Sequence, residues 1–246
     1  VSVTEAQGQP RVRHLRSAVA AAESDVPVRG RPAAAVLPAL RTLVPELPAG
    51  SLVSVAGGGS ASLAAALVAG ASEGGAWCAV VGVPEFGVRS AVGMGADPQR
   101  LLLVDDPGRR WAETVAALAE GVGLVLTRAP APVAPALARR LTSVARRHGC
   151  VLVVAGTAWE GTWLRLEVTA SVWTGLAQGH GHLRGRRATV AALGRGAGGG
   201  RRAALWLPGP DGAVGPDRTA EAPQDGGVRP VRAAPRTAGT TTTEVA

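Results

Sequence analysis

No lysine, tyrosine, isoleucine or asparagine occurs in this chain, and phenylalanine and methionine occur once each. The four missing types have AT-rich codons, so a strongly GC-rich coding sequence accounts for their joint absence. Codon drift does not remove the chemical consequence: a catalytic lysine would be held by function, so a chain without one excludes chemistry that needs an ammonium point charge. All 26 basic residues are arginines, and against 18 acids they give a formal net charge of +8. That balance is compatible with nucleic acid or an acidic partner and establishes neither. Only two cysteines are present. Cys78 and Cys150 adjoin apolar runs and read as buried free thiols of a reducing cytosol. No stretch reaches the ~20 apolar residues of a membrane span, and the N-terminus lacks a basic segment followed by an apolar core and cleavage site. The expectation is a cytoplasmic chain with no membrane contact.

Glycine is abundant, and one cluster of it carries the main functional question. Ser51–Val55 is a β-branched run, Gly57-Gly58-Gly59-Ser60 follows, and an Ala/Leu-rich helix begins near Ser62. Strand, glycine loop and helix in that order are how backbone N–H groups and a helix N-terminus cradle phosphate. The full signature also needs Gly-Lys-Ser/Thr, the lysine for the β/γ-phosphates and the hydroxyl for magnesium. The lysine is missing. Three readings of Gly57, Gly58, Gly59, Ser60 and Ser62 stand side by side: a degenerate loop kept for packing, residual nucleotide binding through backbone amides, or ATP hydrolysis with an arginine or a partner in lysine's place.

The rest of the chain is expected to divide into an N-terminal arm (1–30, with a short helix over Val12–Glu23), a core (31–212) and a disordered tail (213–246) rich in Gly, Pro, Thr and Asp. In the core a helix is expected over Ala33–Leu43. Apolar strands are expected at Ser51–Val55, Trp77–Val81, Leu101–Val104, Leu124–Thr127 and Cys150–Ala155. Helices come between them at Ser90–Met94, after the Asp106-Pro107 start and at Pro135–Arg147. Short apolar strands separated by helices indicate a parallel sheet covered on both faces. From Leu164 the pattern is strands only (Leu164–Thr169, Arg187–Leu193, Arg202–Leu207), which predicts an antiparallel extension at one edge.

Several blocks in this order resemble the RecA-like core, and more narrowly the ImuA-prime family of actinobacterial mutagenesis proteins. Leu47-Pro48-Ala49-Gly50-Ser51-Leu52-Val53 is similar to the RecA lead-in to its phosphate loop. Gly93-Met94-Gly95-Ala96-Asp97-Pro98 resembles the segment before a following strand, and Arg187–Val190 and Ala204–Gly209 resemble late strands. Gly57–Ser60, Trp77–Gly82, Trp173–Leu176 with Gly179-His180-Gly181, and Trp206–Pro210 resemble ImuA-prime. The likeness spans residues 33–212. It implies an α/β RecA-like fold and an accessory, scaffold role in SOS-type error-prone translesion DNA synthesis. The implied partners are an ImuB-like Y-family polymerase relative and an error-prone replicative-type polymerase, with RecA-style self-association as a further option.

The departures bear on activity. A RecA-type ATPase needs a carboxylate ending the Leu124–Thr127 strand; here Thr127-Arg128-Ala129-Pro130 follows. Glu85 lies near the place of the water-polarising glutamate, beside Pro84, and Asp105 and Asp106 read as caps. The two segments that become DNA-binding loops in RecA shrink to Ala129–Ala134 and Gly156–Thr162. A non-hydrolysing protein without a cofactor is expected.

Arg184, Arg186, Arg187, Arg195, Arg201 and Arg202 form an acid-free strip flanking two strands. It reads as a solvated face or edge guard, as contact to single-stranded DNA, or as a partner surface. Arg139, Arg140, Arg146 and Arg147 read as the exposed side of a helix. His180 and His182 lack a third metal ligand nearby. Trp77 and Trp111 are expected in the core, while Trp159, Trp163, Trp173 and Trp206 cluster late.

Overall fold

The structure is a computed structural model whose described residues are 34–156, 158–177 and 180–219. The expected arm and its helix at Val12–Glu23 lie outside them, as does the chain after Thr219. Nine strands form one sheet in the order β3-β2-β4-β5-β1-β6-β7-β8-β9. They are β1 (Leu52–Gly57), β2 (Cys78–Val81), β3 (Leu101–Val104), β4 (Leu124–Thr127), β5 (Val151–Ala155), β6 (Leu164–Ala177), β7 (His180–Leu193), β8 (Arg201–Trp206) and β9 (Gly215–Pro216). The first six run parallel, and β7, β8 and β9 continue antiparallel. The expected mostly parallel sheet with an antiparallel late edge is what forms.

Two apolar cores flank this sheet. Helix α1 (Ser60–Glu73) is buried from Leu63 to Ser72, as suits a helix apolar all round. It is enclosed between the sheet and the preceding segment, where Val36, Leu37, Leu40, Leu43 and Val44 are buried. On the other face α3 (Trp111–Gly121) and α4 (Pro135–His148) lay Val115, Leu118, Leu141 and Val144 on β2, β4 and β5. The short α2 (Val88–Gly93) completes the described helices. Cys78 and Cys150 are both buried, and burial pushes the Cys78 thiol far above its ordinary range.

Several boundaries differ from expectation, and the strands expected at Leu164–Thr169 and Arg187–Leu193 extend to Leu164–Ala177 and His180–Leu193. Over the described residues 34–43 the expected Ala33–Leu43 helix does not form: only Pro38–Leu40 makes a 3₁₀ turn, and Ala34 bridges Leu47 instead. The cause is Pro38, which holds Leu37 at φ −52°, ψ 140°, outside the helical region as expected before proline. Asp106 accepts from Gly108 N at 3.1 Å but is not the helix cap expected: a 3₁₀ turn at Gly108–Arg110 with Pro107 at its N-cap follows, and α3 begins only at Trp111. Residues 213–219, assigned to the tail, join the fold. β9 pairs with β8, and the buried Asp217 carboxylate meets Arg187 Nε at 3.5 Å while accepting from Thr219 Oγ1 at 2.6 Å.

Leu126, on β4, is fully buried between neighbours on both sides. Leu126→Ala is expected to lower unfolding free energy by about 2–5 kcal/mol, measured by urea titration.

Candidate functional site

β1 ends at Gly57 and α1 starts at Ser60, so Gly58 and Gly59 alone bridge strand and helix. A phosphate-wrapping loop places about six residues after its first glycine before Ser/Thr; this connection is a tight turn. Both flanking glycines are sterically fixed. Gly57 has φ +92°, and a Cβ there would lie 2.2 Å from Val168 O. Gly59 has φ +91°, and its Cβ would fall 1.5 Å from Arg186 Nη2.

Arg186 decides the chemistry of the turn. It lies on β7, is 4% exposed, and reaches across to donate from Nη2 to Gly58 O and from Nη1 to Gly59 O at 3.3 Å. Nη2 also donates to Ser171 Oγ at 2.9 Å, and the guanidinium stands 5.8 Å from the Trp173 ring centroid. Burial lowers its proton affinity, although arginine keeps its charge in proteins. A cation at a helix N-terminus opposes the helix dipole. Here two carbonyls, a hydroxyl and an indole face offset that repulsion.

The residues that the sequence reading set beside RecA's catalytic positions make bonds of their own. Thr127, at the end of β4 where an acid would stand, is fully buried. Its Oγ1 accepts from Trp111 Nε1 at 2.8 Å and donates to Val81 O at 3.1 Å. Glu85 forms an ion pair with Arg128, the residue after Thr127. A backbone N–H, then Arg128, hold its carboxyl below the ordinary glutamate range. Ser60, Glu85 and Arg128 border a cleft of about 20 Å³, room for about one water. Ser62 donates its backbone N–H to Gly59 O at 3.2 Å. Ala129, Ala131, Pro132 and Val133 from one of the two loops, with Ala158 and Trp159 from the other, instead line a mostly apolar cleft of about 490 Å³. Trp159 packs edge-on against Trp111 at 6.0 Å.

The arginine strip does not form one surface. Arg186 points inward, and Arg187 turns to the opposite face, over Trp206 at 4.9 Å and toward Asp217. Arg184 is exposed on the hairpin, Arg195 on a 3₁₀ turn, and Arg201 and Arg202 on β8 opposite Ala192 and Ala191. The last two stand on the part of β8 that β9 leaves unpaired, where charge guards an edge. Arg139, Arg140, Arg146 and Arg147 do lie on the outer side of α4. Sequence reasoning put Arg186 in a surface strip, yet two-residue alternation aligns it with Ala188, Val190 and Ala192, all core-facing. Among the described residues no His/Cys/Asp/Glu group could hold a metal ion, and no helix is long and apolar enough to cross a membrane.

The family described as the MT3502 N-terminal domain matches residues 42–161, the stretch from before β1 to the loop after β5. The uncharacterized protein Rv3395c of Mycobacterium tuberculosis is 35% identical over 145 residues, 56% of this chain and 71% of that protein. The chain belongs to the Rv3395c family. The crystal structure of the RadB recombinase superposes with a TM-score of 0.50 at 16% identity, covering 73% of this chain and 96% of that one. The fold of this Rv3395c relative is therefore RecA-like.

Two outcomes test the geometry. Arg186→Met leaves two loop carbonyls without their donor and should cost about 1.5–3 kcal/mol per charged hydrogen bond lost, read as a lower urea midpoint; Arg186→Lys should recover part of it. Arg128→Ala should move the Glu85 titration midpoint upward, read by carboxyl NMR. The sign follows from the depressed folded-state value: the pair stabilises at neutral pH and its contribution is lost as pH falls through that value.

Proposed function

We propose that this protein is a non-hydrolysing RecA-like accessory factor that acts through protein partners in damage-induced, error-prone DNA synthesis. The observation that carries the first half is the two-residue turn at Gly58-Gly59, engaged through its carbonyls by Arg186. Phosphate binding in this fold uses loop N–H groups, a lysine and an acid-held magnesium. The turn is short, the lysine is absent, and Thr127 is committed to Trp111. The second half rests on the ImuA-prime-like blocks around Gly57–Ser60, Trp77–Gly82 and Trp206–Pro210. They imply an ImuB-like Y-family polymerase relative and an error-prone replicative-type polymerase as partners.

A buried guanidinium beside a helix N-terminus favours a second reading, residual binding of a nucleotide phosphate at the turn. Calorimetric titration with ATP and magnesium separates the two. The scaffold reading expects no saturable binding up to millimolar ATP and no phosphate release. Saturable binding that disappears in Gly58→Val, at a glycine with open space around it, would establish the second. For the cellular role, tagged protein recovered after DNA damage is expected to carry a translesion polymerase component; recovery without one overturns it.

A further inference from the structure

The β6–β7 hairpin projects past both of its neighbours. β1 stops pairing with β6 at Val168, and β8 begins pairing with β7 at Arg187. Beyond those points the hairpin is a two-stranded ribbon whose β6 side has no neighbouring strand among the described residues. Three of the six exposed large hydrophobics among the described residues sit on it: Val172 at 65%, Leu183 at 54% and Trp173 at 45%.

Natural edge strands are protected by charge, proline or brevity. The outer edge of β8 carries Arg201 and Arg202, but β6 from Val168 to Ala177 has no charged residue and no proline. Bulges at Val168/Ala170 and Thr174/Leu176 bracket a regular run, Ala170–Thr174, whose first four residues are exposed. Alternation puts Val172 with its pair-mate Arg187 on one face and Trp173 with Arg186 on the other. No acid occurs from Val168 to Pro210, and Arg184 makes no ion pair among the described residues.

We infer that the Ala170–Thr174 edge of β6 accepts an extended segment of a partner protein, adding a strand to the sheet. Its main-chain groups would pair with the open edge. Apolar side chains would cover Val172 and Trp173, and acidic ones would meet Arg184 and Arg187. Charge selects an acidic segment, and the exposed Val172, Trp173 and Leu183 side chains, which need apolar cover, favour a protein strand over nucleic acid. This inference rests on the partner-based reading above and names the surface that serves it.

The test uses the full chain and three probes: a synthetic nonapeptide alternating valine and glutamate, its valine–lysine counterpart, and an oligo-dT strand. Hydrogen–deuterium exchange should show slowed amides in 170–174 with the glutamate peptide alone. Val172→Glu should weaken that binding at least tenfold, and Val172→Thr less than twofold. No protection, equal protection by the lysine peptide, or protection by oligo-dT alone overturns the inference. So does a wild-type dimer in sedimentation that Val172→Glu converts to monomer, since the edge then joins two copies. If Val172→Glu does not fold, the wild-type exchange pattern decides. Purified polymerase partners separate the two levels. Unchanged binding to Val172→Glu sinks the edge and leaves the scaffold reading. Peptide protection at 170–174 without polymerase binding sinks the scaffold reading and leaves the edge.

Discussion

A buried guanidinium without a buried carboxylate is costly unless neutral dipoles surround it. Arg186 meets that demand at its two terminal nitrogens, though not at the buried Nε, by drawing on both halves of the molecule at once. Gly58 and Gly59 come from the parallel half, Ser171 and Trp173 from the antiparallel hairpin. The turn between β1 and α1 can therefore be short, because one cation satisfies its carbonyls, and the hairpin is anchored where it leaves the sheet. Gly59 has to remain glycine for the same reason, since any side chain there would overlap the guanidinium.

Around this contact the residues at the C-terminal ends of β2 and β4 are bonded to their neighbours. Trp111 is hydrogen-bonded to Thr127, which is bonded in turn to the end of β2. Glu85 is bonded to Arg128. Trp159 then packs on Trp111 and floors the apolar cleft lined by the shortened loops. These contacts join the C-terminal ends of β2, β4 and β5 into one packed layer, the region where open α/β sheets ordinarily receive ligands.

Much of this architecture is legible in the chain because burial on both faces leaves a plain signal. Leu124–Thr127 is apolar and short, and it forms the strand those residues predict. Pro135–His148 shows helical spacing with its arginines outward. Ala33–Leu43 misleads because its apolar spacing suits a helix while Pro38 removes the backbone N–H that one would need. The tail boundary fails because Asp217 looks solvated in sequence, and only the fold brings Arg187 to it. Arg186 is the deepest miss. Its neighbours Arg184 and Arg187 are exposed, so charge suggested a strip where strand alternation pointed inward.

The position of β1 has a consequence for how the chain comes to be made. β1 lies between β5 and β6, so it gains its first strand neighbour only after the ribosome has passed Val151 and its second only after Leu164. Contacts of such long sequence separation form late. Until then the β6-facing edge of β1 would stay open to other chains. A nascent chain stalled before β6 is thus a sticky species, one that chaperones would be expected to hold. The same inner strand that ends in the arginine-clamped turn makes vectorial synthesis the stage at which this fold is most exposed.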